Sequence, residues 1–235
     1  MDALYRHVQW QKGGVLSKFR LMIAVLAAMI FVVVVLRWGS EFSAVMASPS
    51  VSEVYSIAAD EVPKLPNATS TFAITRQMEQ CDNWMTSIVA GFASEQALQN
   101  IAIACEARAD DILASTPSFS LAHLVKAGVA RTRSDADVIV QSLSAAQITA
   151  PFEGALATRR LRLFFLSGPD VTATSLENDV KVVAMSPNFR PFLAQFYWTY
   201  PERRTWLTEV FEALPPNAAR RVVATIKKAA PGGIQ

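Results

Sequence analysis

Residues whose side chains could do chemistry are few in this sequence, and their spacing matches no catalytic motif. The two histidines, His7 and His123, stand far apart, and the chain has no GxxxxGK, HExxH, GxSxG, GxGxxG or CxxC motif. Asp110 and Asp111 are adjacent, so on a helix they point about 100° apart and cannot easily share a substrate. We therefore expect no enzyme, and no catalytic residue, metal ion or cofactor.

Aromatic residues and arginines concentrate in the last third of the chain. Seven aromatic residues lie within twenty positions: Phe192, Phe196, Tyr197, Trp198, Tyr200, Trp206 and Phe211. Exposed aromatic side chains beside arginines are typical of protein-binding surfaces and also of sugar-stacking sites. Our candidate partner-binding residues are Tyr197, Trp198, Tyr200, Arg159, Arg162, Arg203 and Arg204. Core packing of the last helices and ordinary solubilising charge remain the alternatives.

The two cysteines indicate a helical hairpin. Cys81 and Cys105 are equidistant from position 93, where Gly91, Ala93 and Ser94 favour a turn. On antiparallel helices joined there, the two cysteines lie at the same level, and both belong to apolar stripes. We predict a disulfide between them in an oxidising compartment, with two buried thiols as the alternative.

One apolar stretch organises the rest of the chain. Leu21 to Leu36 has no charged residue and is bounded by Arg20 and Arg37. At about 1.5 Å per residue it forms a helix of roughly 24 Å, slightly short of the ~30 Å hydrocarbon core. Arg20 and Arg37 can extend toward the membrane surfaces, and Trp38 suits the headgroup layer. We predict a transmembrane helix over residues 21–38.

The flanking charges predict its orientation. Basic residues precede the apolar stretch, whereas acidic residues dominate after Arg37. The positive-inside rule then places residues 1–20 in the cytoplasm and the main domain outside it. The alanine-rich composition favours a bacterial inner membrane with a periplasmic domain. A cleaved signal peptide, cut after Ala47, is the alternative.

Beyond the apolar stretch, the sequence predicts a tether and then an all-α domain. Residues 39–72 are rich in Ser, Ala and Val, with three prolines, and read as a flexible tether holding one short helix near Val51–Ala59. Residues 73–230 show helical periodicity and no strand alternation. The predicted later helices are 118–131, 134–147, 151–166, 171–185, 188–199, 202–214 and 217–228, and a short tail covers 231–235.

Three prolines in the domain are almost evenly spaced, which indicates a repeating unit. Pro117, Pro151 and Pro187 are 34 and 36 residues apart, and Thr116–Phe119 nearly repeats as Ser186–Phe189. A two-helix unit of about 34 residues resembles the tetratricopeptide repeat. Seven residues fit its register: Ala107, Asp111, Leu113, Pro117, Ala122, His123 and Ala127. The unit near Pro151 lacks the consensus aromatic residue. The resemblance implies an α-solenoid of about four hairpins, against an irregular helical bundle.

These features together predict a non-catalytic adaptor. Stacked helical hairpins form extended surfaces that bind other chains. We expect partners among integral membrane proteins or envelope complexes, with the anchor in contact with lipid. The way anchored repeat proteins are generally used suggests envelope assembly, secretion, or surface polysaccharide synthesis or export. The net charge of +2 predicts no nucleic-acid partner. The alternative is a glycan- or peptidoglycan-binding module that uses the aromatic, arginine-rich last third.

Overall fold

The structure is a computed structural model that describes residues 2–46, 49–168, 171 and 176–230. Over these ranges the regular structure is helical, without a β-strand. Short 3₁₀ segments at Ile88–Phe92 and Pro201–Arg203 interrupt the series. The α-helices are α1 Asp2–Met46, α2 Val51–Asp60, α3 Thr71–Thr86, α4 Glu95–Ser115, α5 Ser120–Thr132, α6 Ala136–Thr149, α7 Gly154–Leu166, α8 Glu177–Met185, α9 Arg190–Thr199, α10 Arg204–Glu212 and α11 Pro216–Lys228. The all-α prediction is confirmed, and the predicted tail 231–235 lies outside the described residues.

Helix α1 contains one segment long and apolar enough to cross a membrane. This segment, Lys18–Ser43, is 26 residues long, and none of its described side chains is buried in the protein. Its large side chains are open along their length, from Leu21, 67% exposed, to Leu36, 71% exposed. Exposed apolar surface on this scale is typical of a segment that contacts a membrane or another protein. The helix extends beyond both ends of the predicted span at 21–38.

Short polar side chains begin several helices of the domain. Ser70 and Ser94 accept hydrogen bonds from the amides of Ala73 and Ala97, each at 3.2 Å. The side chain of Asp135 accepts a hydrogen bond from the amide of Val138 at 3.1 Å and so caps α6. Such caps satisfy amide groups that have no partner within the helix.

Prolines separate successive helices. Pro117 lies between α4 and α5, Pro151 between α6 and α7, and Pro187 between α8 and α9. Helices α5, α7 and α9 begin two or three residues later than predicted. The residues after each proline form a turn before the helix starts, as the fixed proline φ favours.

Neighbouring helices pack in pairs and also along a row. Helix α3 packs against α4, α5 against α6, and α7 against α8. Alternate helices also contact one another, with α3 on α5, α5 on α7, and α9 on α11. A continuous set of buried apolar side chains runs through this row from Val54 to Ile226.

The predicted disulfide joins the two helices of the first hairpin, α3 and α4. Cys81 of α3 and Cys105 of α4 are bonded, with their Cα atoms 5.8 Å apart, and neither side chain is exposed. The turn between the helices lies midway between the cysteines, where Ser94 caps α4. The bridge therefore links the middles of two antiparallel helices.

The segment predicted as a flexible tether packs against the domain over much of its length. It does hold the expected helix, α2, but Val54, Tyr55 and Ala58 of that helix are buried against the domain. Tyr55 donates a hydrogen bond to the carbonyl of Trp84 at 2.8 Å, and Asn100 donates to the carbonyl of Ala58 at 2.9 Å. Because one apolar face of α2 is buried, this stretch is attached to the domain and is not a free linker.

The residues after α2 are fastened by side chains from α3 and α4. Arg108, 7% exposed, donates to the side-chain oxygens of Gln77 and Asn67 and to the carbonyl of Ala68. Gln77 in turn donates to the carbonyl of Pro66 at 2.6 Å. Side chains of α3 and α4 thus hold this segment by hydrogen bonds, mostly to its backbone carbonyls. The sequence of the segment itself does not predict these bonds.

Candidate functional site

An open cavity of about 410 Å³ lies between the last three helices that the structure describes, and part of the aromatic cluster lines it. Helices α9, α10 and α11 each contribute to its wall. Apolar side chains form most of the lining, and Glu212 and Lys227 are its two charged residues. The lining residues are Tyr197, Trp198, Thr208, Phe211, Glu212, Ala219, Val223, Ile226 and Lys227. We call this cavity the aromatic pocket.

Trp198 and Tyr197 are held in fixed orientations at the pocket. The indole N–H of Trp198 donates to the carbonyl of Ile226 at 3.0 Å, which ties α9 to α11. The two rings meet edge to face, with their centroids 5.5 Å apart. Both side chains are partly exposed, so the pocket presents rigid aromatic surface to an incoming group.

Arg204 stands beside both rings. Its Nε donates to the carbonyl of Tyr197 at 2.7 Å, and its Nη2 donates to the carbonyl of Trp198 at 3.3 Å. These contacts satisfy carbonyl groups at the end of α9, where a positive charge is favourable. The guanidinium carbon lies 5.3 Å from the Tyr197 ring centre and 5.0 Å from that of Trp198. Arg204 therefore braces the aromatic pair and is mostly engaged within the chain.

No protein family, curated protein or solved structure matches this chain.

Two other predicted binding residues pack toward α7 instead of lining this pocket. Tyr200 packs its ring 5.2 Å from that of Phe165 and is partly buried, and burial raises the pKa of its phenol. Arg203 is 8% exposed, its guanidinium lies 4.3 Å above the ring of Phe164, and it donates to the carbonyl of Gly168. The 3₁₀ turn after α9 directs both side chains back toward α7.

The predicted basic run on α7 does not form an open surface. Arg159 contacts the carboxylate of Asp82 at 2.5 Å and that of Glu79 at 3.6 Å, which joins α7 to α3. Arg162 is only partly exposed on the same helix. Burial raises the pKa of Asp82, whereas the charge of Arg159 opposes that rise. Arg159 therefore has a structural contact, since its charge compensates a nearly buried carboxylate.

Arg160, in the middle of this run, is completely buried. Its Nε and Nη2 each donate to a carboxylate oxygen of Asp179 at 2.7 Å. The same guanidinium donates to the carbonyls of Ala146 and Ala150 at 3.1 Å. One side chain thus connects the end of α6 to α7 and α8.

Residues predicted for the membrane interface are exposed where the structure describes them. Arg20 is exposed and Trp38 is 76% exposed on α1, whereas the side chain of Arg37 lies outside the described part of the chain. The described residues contain no group of three His, Cys, Asp or Glu side chains that could hold a metal ion. His123 contacts the carbonyl of Pro117 at 2.8 Å, at the turn before its own helix.

Sequence reasoning missed the contribution of α11 to the aromatic pocket. Val223, Ile226 and Lys227 line the cavity although they lie well beyond the aromatic cluster. The spacing of Val222 and Ile226 indicates an apolar helix face. Only the packing of α11 on α9 shows which part of the chain that helix meets.

Proposed function

We propose that this chain is a membrane-anchored, extracytoplasmic helical-repeat adaptor that binds and organises a membrane protein partner. The observation that carries the proposal is the open aromatic pocket, built from three helices of a domain that follows a single membrane-length helix. An anchored binding surface meets membrane-embedded partners at a high effective concentration.

The packing of the helices supports the repeat part of this proposal. From α3 to α9 each helix contacts the next one, and α3, α5, α7, α9 and α11 contact one another in turn, as expected of stacked hairpins in tetratricopeptide-like solenoids. The prolines between α4 and α5, α6 and α7, and α8 and α9 have the matching spacing. The proposed location is the periplasmic side of a bacterial inner membrane, in envelope assembly, secretion or surface polysaccharide synthesis or export.

The lining of the pocket favours a protein segment as its occupant. Phe211, Val223 and Ile226 offer apolar contacts, while Glu212 and Lys227 supply one charge of each sign. Apolar side chains flanked by polar groups fit such a cavity, and buried aromatic residues typically dominate the binding energy.

A glycan, the alternative occupant, has less support from the geometry. Sugars need polar partners for their hydroxyl groups as well as an aromatic face. The N–H of Trp198 is already bonded to Ile226, and Arg204 is bonded to two carbonyls. The remaining wall is mostly apolar.

Site-specific photo-crosslinking in native membranes would test the adaptor function. A photoreactive phenylalanine replaces Val223, which is 42% exposed in the pocket, or Phe152, which is 82% exposed outside it. We expect a crosslink to one membrane protein from position 223 and none from position 152. In a second variant, Trp198→Ala, the crosslink from position 223 should weaken while the helical content stays unchanged.

Two results would contradict the adaptor proposal. Equal crosslinking from positions 223 and 152 would show that the pocket is not the binding surface. Saturable binding of oligosaccharides that is lost in Trp198→Ala, without any protein crosslink, would favour the glycan-binding alternative.

A further inference from the structure

Glu41 connects the anchor helix to the domain. Its Oε1 accepts hydrogen bonds from the amide of Thr69 at 2.5 Å, the hydroxyl of Thr69 at 2.9 Å and the amide of Ser70 at 3.0 Å. Its Oε2 accepts from the hydroxyl of Ser70 at 2.5 Å. Four donors on one carboxylate make a strong contact, because hydrogen bonds to an ionised group are about twice as strong as neutral ones.

The same contact reaches the start of α3. The Ser70 hydroxyl that donates to Glu41 also accepts from the amide of Ala73 and so caps α3. A negative charge is favourable at this end of a helix. Helix α1 also packs directly against α3. The domain is therefore attached to the anchor by side-chain contacts as well as by the chain itself.

The position of Glu41 along α1 places this contact close to the membrane. Glu41 follows Leu36, the end of the apolar run, by five residues. At ~1.5 Å per residue this is about 7.5 Å along the helix. The headgroup layer on each side is roughly 5–8 Å thick, from a ~30 Å core within a bilayer of ~40–45 Å. Thr69 and Ser70 thus lie at about the level of the headgroups.

Exposed aromatic side chains lie at this level on both α1 and the domain. Phe72, in the first turn of α3, is 68% exposed, and Phe42, next to Glu41 on α1, is 62% exposed. Arg76 lies one turn beyond Phe72 on the same face of α3, where its side chain is 53% exposed and forms an ion pair with Glu79 at 3.4 Å. Aromatic rings suit the membrane–water interface, and a solvent-exposed ion pair of this kind is weak enough for the arginine to meet lipid phosphates.

We propose that the domain sits on the membrane surface, held by Glu41, with Phe72 in the phospholipid headgroup layer. The geometry favours lipid as the group that this exposed face contacts. The face is continuous with the membrane helix and is held within a few residues of the end of its apolar run. This seating rests on the proposed membrane anchor, but it is independent of which partner the aromatic pocket binds.

Fluorescence quenching by nitroxide lipids tests the proposal. A single cysteine replaces Phe72, Phe152 or Met29 in the full-length chain and carries an environment-sensitive dye. Labelling is selective because both native cysteines are in the disulfide. The protein is placed in vesicles of phosphatidylethanolamine and phosphatidylglycerol with a nitroxide on either the headgroup or the acyl chain.

We expect headgroup nitroxide to quench the dye at position 72 and shift its emission to the blue, with neither effect at position 152. Acyl-chain nitroxide should quench the dye at position 29, in the apolar run. In the Glu41→Ala background, quenching at position 72 should fall to the level at 152. The control Glu53→Ala, at an exposed acidic residue, should leave it unchanged.

Three results would overturn the proposal. No quenching at position 72, with quenching retained at position 29, would show that the domain stands clear of the membrane. Unchanged quenching at position 72 in Glu41→Ala would remove Glu41 from the mechanism. No quenching at position 29 would reject both the membrane anchor and the seating.

Discussion

At the scale of single residues, burial separates two ion pairs of similar geometry. Arg160 forms a forked contact with Asp179, and neither side chain is exposed. Arg133 forms a forked contact with Glu106 at 2.9 and 2.5 Å, but these side chains are 50% and 30% exposed. Removing one partner of a buried pair leaves an uncompensated charge, whereas water solvates the remaining partner of an exposed pair.

We therefore predict very different costs for Asp179→Ala and Glu106→Ala. The first should lower the free energy of unfolding by about 3–5 kcal/mol. The second should lower it by no more than about 1 kcal/mol. Urea denaturation of the full-length protein in detergent, followed by circular dichroism, measures both. Equal costs would mean that Arg160 reaches water in solution.

At the scale of helices, α7 packs closely against the turn before α9, where Gly154 meets the ring of Phe189. A methyl group on Gly154 would lie 2.6 Å from Cε2 and 2.7 Å from Cδ2 of Phe189. A methyl group on Gly128 would lie 2.8 Å from Cε of Met85, the flexible end of that side chain. At Gly91 the same group would meet nothing within 4 Å. A rigid ring cannot move aside as a methionine can.

Alanine substitutions at these glycines should rank accordingly. Gly154→Ala should cost about 1–3 kcal/mol, as overpacking of a filled site does. Gly128→Ala should cost less, because Met85 can shift and alanine gains up to about 1 kcal/mol of helix propensity. Gly91→Ala should cost nothing. Thermal unfolding of the three variants checks the order, and a neutral Gly154→Ala would show that α7 and Phe189 are not closely packed.

The local features of these helices could be predicted from the sequence. The equal spacing of Cys81 and Cys105 from one turn predicted their bond, and prolines such as Pro117 indicated where helices end. These features depend on nearby residues and on regular helix geometry. Helix starts were less accurate, because the turn after a proline looks helical in composition.

Contacts between distant parts of the chain could not be predicted. Arg160 stands in an apparently basic run, yet in the core Asp179 neutralises its charge and two carbonyls accept further hydrogen bonds from it. Arg159 is paired with Asp82, 77 residues away. The candidate site shows the same limit, since its aromatic residues were identified but α11, which completes the aromatic pocket, was not.

At the scale of the whole molecule, the charges that flank the apolar stretch predict how the chain is oriented in the membrane. A reporter enzyme fused after Gln235 should be active outside the cytoplasm, and one fused after Lys18 should be active inside it, because lysines and arginines are retained in the cytoplasm. A cytoplasmic signal from the Gln235 fusion would reverse the predicted topology. The intact mass of the membrane-bound chain distinguishes a retained anchor from cleavage after Ala47.

The row of packed helices starts at α3, beside the anchor, and ends at α11, beside the aromatic pocket. If its first helix is seated on the bilayer, the number of helix pairs sets the distance between the membrane and the pocket. In the proposed repeat architecture each pair adds a fixed increment to that distance, and the proposed partner in the same membrane must present its docking segment there. Inserting or deleting one pair between α4 and α9 would change the reach without altering the pocket itself.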